Sequence, residues 1–408
     1  MNQVIGTEGD DYLEADPEVG SEVYGLGGND ILIGGSGQDV LLGGEGDDYL
    51  FGKGGDYLHG EGGNDTFVFY EKSDWYGGRI DGGAGLDTIL LATSTGAFFA
   101  VTDEMNVEAV LIKGMAQVDA RDVKHFISIT ADNNGSYLVG GTGGAMLTGG
   151  AGSDYLEGQV GANTFDGGDG DDFIVAPGEG NVINGGKGVD FMVVSGTRDN
   201  HIDGGEGYDY LHAVANPGQD VYLVLTDDMH VEKLSSSDGH GNDYFDASAM
   251  TRGINMSGNN FSNAYYIGGS GNDFLLGAMG DTTFFGGAGD DILIGSGGDN
   301  VLDGGAGNDN LFGSEGQAPI DYITGGAGAD TFHILGKEGE HYIRDFNAAE
   351  QDKIHLKSIT GDSEKDFYAM MEHAVQDGAN IIITIVGVKV ILEQIELSTL
   401  SSEYFMFG

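Results

Sequence analysis

The sequence has no cysteine, one tryptophan, four prolines and only 16 basic residues in 408. Without cysteine there are no disulfides, thiolate metal sites or cysteine nucleophiles. Against 67 acidic residues, so few basic ones leave a net charge of −51. That charge argues against nucleic acid as a partner, because binding phosphates needs a basic surface. It argues equally against an anionic membrane surface. Long apolar runs are missing too: the longest, Ile381 to Leu392, is about twelve residues with Lys389 inside it, too short to span a bilayer. The first residues, Met1 to Gly6, have neither the basic region nor the apolar core of a Sec signal. A soluble chain with no membrane insertion is expected.

Glycine is what the chain has in excess, 77 residues, against an ordinary share of roughly 7%. With so little proline this is neither collagen nor a flexible Pro/Gly linker. A hydrophobic fraction of 39% still provides a core.

The glycines recur with a period of nine. Gly34 to Leu42 reads GGSGQDVLL and Gly43 to Phe51 reads GGEGDDYLF. Gly149 to Glu157, Gly167 to Val175, Gly185 to Val193 and Gly204 to His212 repeat the pattern, as do Gly268 to Leu276, Gly286 to Ile294 and Gly304 to Phe312. These nonapeptides resemble the RTX (repeats-in-toxin), hemolysin-type calcium-binding repeat. The resemblance implies an all-β fold, a parallel β-roll or β-solenoid.

The physics of the pattern agrees. GGxGxD forms a turn in which glycine lets neighbouring backbones approach. The last three residues form a short strand with its central apolar residue inward. Two nonapeptides make one turn of a flattened coil, and turns stack about 4.8 Å apart. Each loop then lies over the loop eighteen residues away. Backbone carbonyls and the sixth-position aspartates of two stacked loops can surround one cation with oxygens only, which suits Ca²⁺. The expected carboxylates are Asp11, Asp30, Asp39, Asp48, Asp56, Asp65, Asp87, Asp154, Asp172, Asp190, Asp209, Asp273, Asp291, Asp309 and Asp330. The expected glycine-turn positions are Gly25, Gly27, Gly34, Ser36, Gly43, Glu45, Gly149, Ala151, Gly168, Gly170, Gly186, Gly188, Gly268, Ser270, Gly287, Gly289, Gly305 and Gly307. The alternative is a metal-free solenoid with aspartate at solvated turns. Carboxylates stacked without cations would, however, repel strongly.

Sorting loops by their eighteen-residue partners separates two edges. Asp154, Asp172, Asp190 and Asp209 stack on one edge of the second block, with Ala145, Asn163 and Asn181 opposite. Asp273, Asp291, Asp309 and Asp330 stack in the third, with Thr282, Asn300 and Ala318 expected opposite. Only the first block keeps aspartate on both edges, Asp30, Asp48 and Asp65 against Asp39 and Asp56. Two blocks therefore read as one-sided for calcium, with weaker sites at Asn163 or Asp299. The expected load is about nine or ten ions.

The expected organisation is RTX block 1 over 1–90, a β separator over 91–139, block 2 over 140–212, a second separator over 213–267, block 3 over 268–335, and a C-terminal cap carrying a type I secretion signal over 336–408. The separators resemble each other: Val101 to Glu108 matches Leu225 to Glu232, and Asp119-Ala120-Arg121 matches Asp246-Ala247-Ser248. They read as irregular coils of the solenoid or as small β caps. In the tail, Glu364 to Gln376 reads as a helix and Ile381 to Ile395 as two strands about Gly387. The end, Glu403 to Gly408, pairs an acidic residue with apolar ones, as type I secretion signals do. A plain capping hairpin is the alternative.

No catalytic constellation is visible. No serine has glycine at both −2 and +2, and no HExxH occurs. The ten histidines are scattered. Trp75, with Tyr70 and Tyr76, reads as a local core or block edge in preference to a sugar platform. The expectation is a secreted, extracellular, non-enzymatic calcium-binding structural protein of a biofilm matrix or surface layer, a substrate of type I secretion machinery that self-associates. The alternatives are a calcium-dependent adhesin or lectin for extracellular polysaccharide, and a polysaccharide-active enzyme hidden in the separators.

Overall fold

The computed structural model describes every residue except 95, 115, 133, 196–198, 217, 238–240, 259–262, 316–317 and 386. The chain forms two compact units, one of Met1–Val194 with Asp199–Asp209, the other of Ser195–Arg198 with Tyr210–Gly408.

In the first unit the apolar half of each nonapeptide becomes a strand and the glycine half the turn between strands. Strands Tyr12–Glu14, Ile31–Ile33, Tyr49–Phe51, Thr66–Phe69 and Thr88–Leu91 pair in that order, all parallel. The strands between them, Asn2–Ile5, Ser21–Gly27, Val40–Glu45, Tyr57–Gly62 and Arg79–Ala84, form a second parallel sheet. Successive strands thus alternate between two sheets, and each pairs with the next but one. This is a parallel β-solenoid. Leu32, Leu50, Phe67 and Ile89 point inward from one sheet, Val23, Leu41 and Leu58 from the other, all essentially without exposure. Flanking residues such as Tyr49 face out, as the two-residue period of a strand requires.

The first separator stays in the coil. Ala109–Ile112 pairs with Thr88–Leu91 on one side and Ile127–Thr130 on the other, which in turn pairs with Ala145–Ala151. Ala97–Ala100, Ala116–Asp119, Tyr137–Val139 and Tyr155–Glu157 do the same in the facing sheet. The extra residues are taken up by a single 3₁₀ turn, Asp103–Met105, closed by Asn106 in the left-handed region (φ 49°). Trp75 packs edge-on against Phe69 and Phe99, at 5.8 and 5.2 Å, in an apolar cluster.

The second unit repeats this design. Its separator has the matching 3₁₀ turn, Asp227–Met229, closed by left-handed His230. Lys233–Ser237, Asn255–Ser257, Phe274–Leu276, Ile292–Ile294, Asn310–Phe312 and Thr331–Ile334 pair parallel in order. In the tail the helix is shorter than expected, Ser363–Met371. Val375–Asp377 is instead an edge strand against Asn380–Ile385. The Gln376 amide explains this: it donates to the carbonyls of Gly378, Asn380 and Ile395 and accepts from Leu397 N–H, which holds the segment extended. The hairpin about Gly387 forms, with Asn380–Ile385 antiparallel to Val388–Leu392. Phe405–Phe407 adds to the sheet beside Lys353–Leu356. Among the described residues no helix is long and apolar enough to cross a membrane.

Leu293 is wholly buried and its neighbour Ile292 is exposed. Leu293→Ala should destabilise the second unit by about 2–5 kcal/mol. Ile292→Ala should cost less than about 1 kcal/mol. Denaturant unfolding at saturating calcium measures both.

Candidate metal sites

The sixth residue of each repeat closes the turn before it. In the first unit the Asp11 N–H donates to Asp30 Oδ1 (2.7 Å), Asp30 N–H to Asp48 (2.7 Å), Asp48 N–H to Asp65 (2.9 Å) and Asp65 N–H to Asp87 (2.8 Å). A second run joins Ser136, Asp154, Asp172, Asp190 and Asp209 in the same way. In the second unit the run is Ile254, Asp273, Asp291, Asp309, Asp330 and Asp352. The steps are 17 to 22 residues, so the ladder tolerates turns of unequal length.

One oxygen of each carboxylate is therefore satisfied. The other, Oδ2, is buried without a hydrogen-bond partner in Asp30, Asp48, Asp65, Asp87, Asp154, Asp172, Asp190, Asp291, Asp309 and Asp330. Such atoms carry a desolvation cost unless something binds them. Each lies over the first glycine of its own turn, and all but Asp330 have a main-chain carbonyl of the next turn beside them. A Cβ at Gly25 would sit 2.2 Å from both Asp30 Oδ2 and the Gly43 oxygen. At Gly167 it would lie 2.3 Å from Asp172 Oδ2 and the Gly185 oxygen, and at Gly286 2.4 Å from Asp291 Oδ2 and the Gly304 oxygen. Carboxylate and carbonyl oxygens thus converge from two stacked turns. Oxygen-only donor sets of this kind fit Ca²⁺, a hard cation. Among the described residues no three His, Asp or Glu side chains gather at one point, so further donors would come from the main chain.

The expected glycine-turn positions divide accordingly. Gly25, Gly34, Gly43, Gly149 and Gly268 are first glycines and lie beside an aspartate Oδ2. In the later turns the carbonyls beside the aspartates belong to Gly185, Gly204, Gly286, Gly304 and Gly325. The first glycine of each GG pair is the signal that would have found them. Gly168, Gly186, Gly287 and Gly305, and Gly170, Gly188, Gly289 and Gly307, stack on one another instead: a Cβ at Gly186 would lie 1.9 Å from the Gly168 oxygen. Both glycines of that pair have left-handed φ, 112° and 104°, so glycine is required there twice over. Gly27, Ser36, Glu45, Ala151 and Ser270 occupy the third position, where main-chain hydrogen bonds join neighbouring turns, as from Gly28 N–H to the Glu45 carbonyl (2.9 Å).

Some aspartates are already saturated. Oδ2 of Asp39 accepts from Gly35 N–H (2.6 Å), that of Asp56 from Lys53 N–H (2.7 Å) and that of Asp273 from Gly269 N–H (2.7 Å). Asp11 Oδ2 accepts from Thr7 Oγ1 (2.8 Å). On the opposite edge of the second block, Asn163 and Asn181 take the aspartate's place in the ladder. The Asn163 amide donates to the Gln159 and Gly161 carbonyls, at 2.7 and 3.0 Å. Asparagine thus supplies the positive end that aspartate lacks.

One register is corrected. The rung after Asn300 on its own edge is Asp321, not Ala318: Asn300 N–H donates to Asp321 Oδ1 (3.0 Å). The three-residue insertion lies before the sixth position and moves it on. Asp321 accepts from Ser314 N–H (2.8 Å) and lies 2.8 Å from His341 Nδ1, both residues fully buried. Burial opposes its charge, yet His341 and the surrounding donors hold its carboxyl below the usual range. An imidazole occupies the place of a cation here.

Elsewhere on the ladders burial pushes the carboxyls up. The N–H of the preceding turn opposes this and the charges of neighbouring aspartates add to it. Asp48, Asp87, Asp309 and Asp330 reach about 6, Asp65 and Asp190 about 7, and Asp291 about 8. An acid whose pKa rises on folding stabilises the fold below its unfolded value, and that stability is lost as pH rises through the folded value. Metal-free protein should therefore be more folded at pH 4.5 than at pH 8, with the loss setting in above about pH 4 and complete by about 6 to 8. Calcium affinity should run the other way and weaken as pH falls through that range. Circular dichroism of metal-stripped protein and calcium titration across pH check the two signs, and a metal-free fold most stable at pH 8 would contradict them.

The sequence profile of the RTX calcium-binding nonapeptide repeat matches residues 24–56, 52–69, 139–174, 194–213, 267–284, 285–317 and 320–333. No curated protein matches the chain. Among solved structures, the extracellular lipase LipA from Serratia marcescens is similar at 17% identity, with a TM-score of 0.19, over 79% of this chain and 45% of the lipase. The chain thus spans less than half the length of that relative, and a likeness this weak says nothing of activity. The matched segments contain most of the stacked turns whose aspartate Oδ2 atoms are buried without a hydrogen-bond partner, and through them the chain carries RTX calcium-binding nonapeptide repeats.

Proposed function

We propose that the chain is a secreted, non-enzymatic structural protein that folds on calcium outside the cell and assembles there as a matrix or surface-layer component. The observation that carries this is the row of buried, unpartnered Oδ2 atoms along each ladder. A fold that buries stacked carboxylates is poor without cations, and binding only to the folded state stabilises it by mass action. Extracellular calcium modules bind at roughly 10⁻⁴–10⁻³ M, and at such affinity the chain would stay unfolded in the cytosol, as export by type I machinery needs. The segment Glu403 to Gly408 suits a signal for that route. About ten ions supply about +20 against −51, which leaves an acidic surface that calcium can bridge between copies. The separators support a structural role, since their strands serve the coil.

An adhesin for extracellular polysaccharide is the second reading. It rests on the outward row Tyr222, Tyr244 and Tyr265 in the second unit, with centroids 6.0 and 6.4 Å apart and rings tilted by 34° and 39°. These faces are partly open. In the first unit Tyr137, Tyr155 and Phe173 lie within 5° of parallel and cover one another's faces.

With excess chelator at neutral pH the β-sheet circular dichroism should collapse, and millimolar calcium should restore it together with larger species in sedimentation. A native spectrum in chelator would overturn calcium-driven folding. A strictly monomeric profile, with glycan binding, would favour the adhesin.

The edges should also differ. Asp172→Ala should release about one or two ions per chain, whereas Asn163→Ala should release none. Equilibrium dialysis counts them, and equal losses would contradict one-sided binding.

A further inference from the structure

The aspartate ladder of the first unit does not stop at its last repeat turn. The Asp87 N–H donates to Glu108 Oε2 at 2.8 Å. Glu108 lies in the first separator, outside any GGxGxD motif, yet it fills the place that the next aspartate fills at every earlier rung. Asn106, two residues before it, is held left-handed at the end of the 3₁₀ turn. A Cβ at Gly82 would lie 2.2 Å from the Asn106 carbonyl oxygen and 2.4 Å from Asp87 Oδ2. The same convergence occurs between intact repeats, with Asn106 now standing where a first glycine stands elsewhere. Asp87 is wholly buried and its Oδ2 has no partner. The longer glutamate side chain makes up for the missing turn.

Charge sharpens the case. Asp87 faces Glu108 and Asp81, both acidic. Glu108 forms no ion pair with a described residue. The nearby imidazole of His125 is turned elsewhere, Nε2 to the Val107 carbonyl (2.9 Å) and Nδ1 to Asp103 (3.5 Å). The second separator provides the comparison within the same chain. There Glu232 matches Glu108, and Arg252, paired with Asp227 as His125 is with Asp103, also binds Glu232. One separator neutralises its glutamate with a guanidinium. The other leaves two carboxylates and a carbonyl converging with no protein cation.

We propose that the first separator completes a calcium site of its own with the turn Gly82 to Asp87, using the Asp87 and Glu108 carboxylates and the Asn106 carbonyl. The separator is then a ligand-bearing coil, and calcium fastens it to the repeat block. This rests on the calcium reading of the ladders above, and the controls separate the two.

The test is calcium stoichiometry of the full chain by native mass spectrometry, with hydrogen exchange over residues 101–112. Glu108→Gln should bind one ion fewer than the parent and lose calcium-dependent protection of that segment. His125→Arg, which gives Glu108 the partner Glu232 has, should also bind one ion fewer but keep the protection. Glu232→Gln should bind the full number, and Asp291→Ala should lose calcium from the second unit. A full complement in both Glu108→Gln and His125→Arg, with Asp291→Ala depleted, overturns the separator site and leaves the repeat sites standing. A parent chain that binds no calcium overturns the wider reading instead. Should Glu108→Gln fail to fold, His125→Arg carries the same test.

Discussion

Like charges stacked at the spacing of β-strands are the constraint on which this structure turns. A coil whose turns have nearly equal length must place equivalent residues over one another, and the equivalent residue here is an acid. Each aspartate uses one oxygen to bind the N–H of the turn before, so it cannot swing out to water. The hydrogen bond that fixes the register thus also fixes the repulsion. At an effective dielectric of about 20, two charges 5 Å apart cost about 3 kcal/mol, a sum no small solenoid can carry many times over.

The chain answers the same problem in different ways at different rungs. Asp39, Asp56 and Asp273 turn their second oxygen to an N–H of their own loop. Asn163 and Asn181 drop the charge and keep the acceptor. Asp321 takes a buried imidazole, and Glu232 a guanidinium. At Asp30, Asp48, Asp65, Asp87, Asp154, Asp172, Asp190, Asp291, Asp309 and Asp330 the second oxygen has none of these partners. Regularity of the motif does not decide which rungs these are: Asp39 and Asp273 close intact GGxGxD turns and are satisfied from within, whereas Asp30 follows the degenerate GLGGN and is not.

Much of this was legible because the period is short and the motif strict. The inward Leu50, Leu293 and Leu311, and the ladders through Asp172 and Asp291, follow from counting nine and eighteen. The misplacement of Ala318 shows where counting fails. An insertion tells the reader its length but not which side of the turn absorbs it, and only the pairing of Asn300 with Asp321 settles that. The His341–Asp321 pair was invisible for the same reason, since the two are twenty residues apart across that irregular turn. The helix was overextended because Gln376 reads as helical by propensity while its amide is spent on carbonyls far along the chain. Glu108 escaped notice because it occupies a rung with a different side chain and no surrounding glycine.

The ladder also has a direction. At every rung the N–H belongs to the earlier turn and the carboxylate to the later one. A coil that lost its first turn would strand an acceptor, which water or an ion can satisfy at the rim. One that lost its last turn would strand a donor N–H beneath the broken end. Asp352 finishes the series in the second unit: it accepts from Asp330 with one oxygen and from Asn347 with the other. Closing the trailing end of this ladder thus takes a residue such as Asp352, whose carboxylate receives the last N–H while its own second oxygen is satisfied from within its turn.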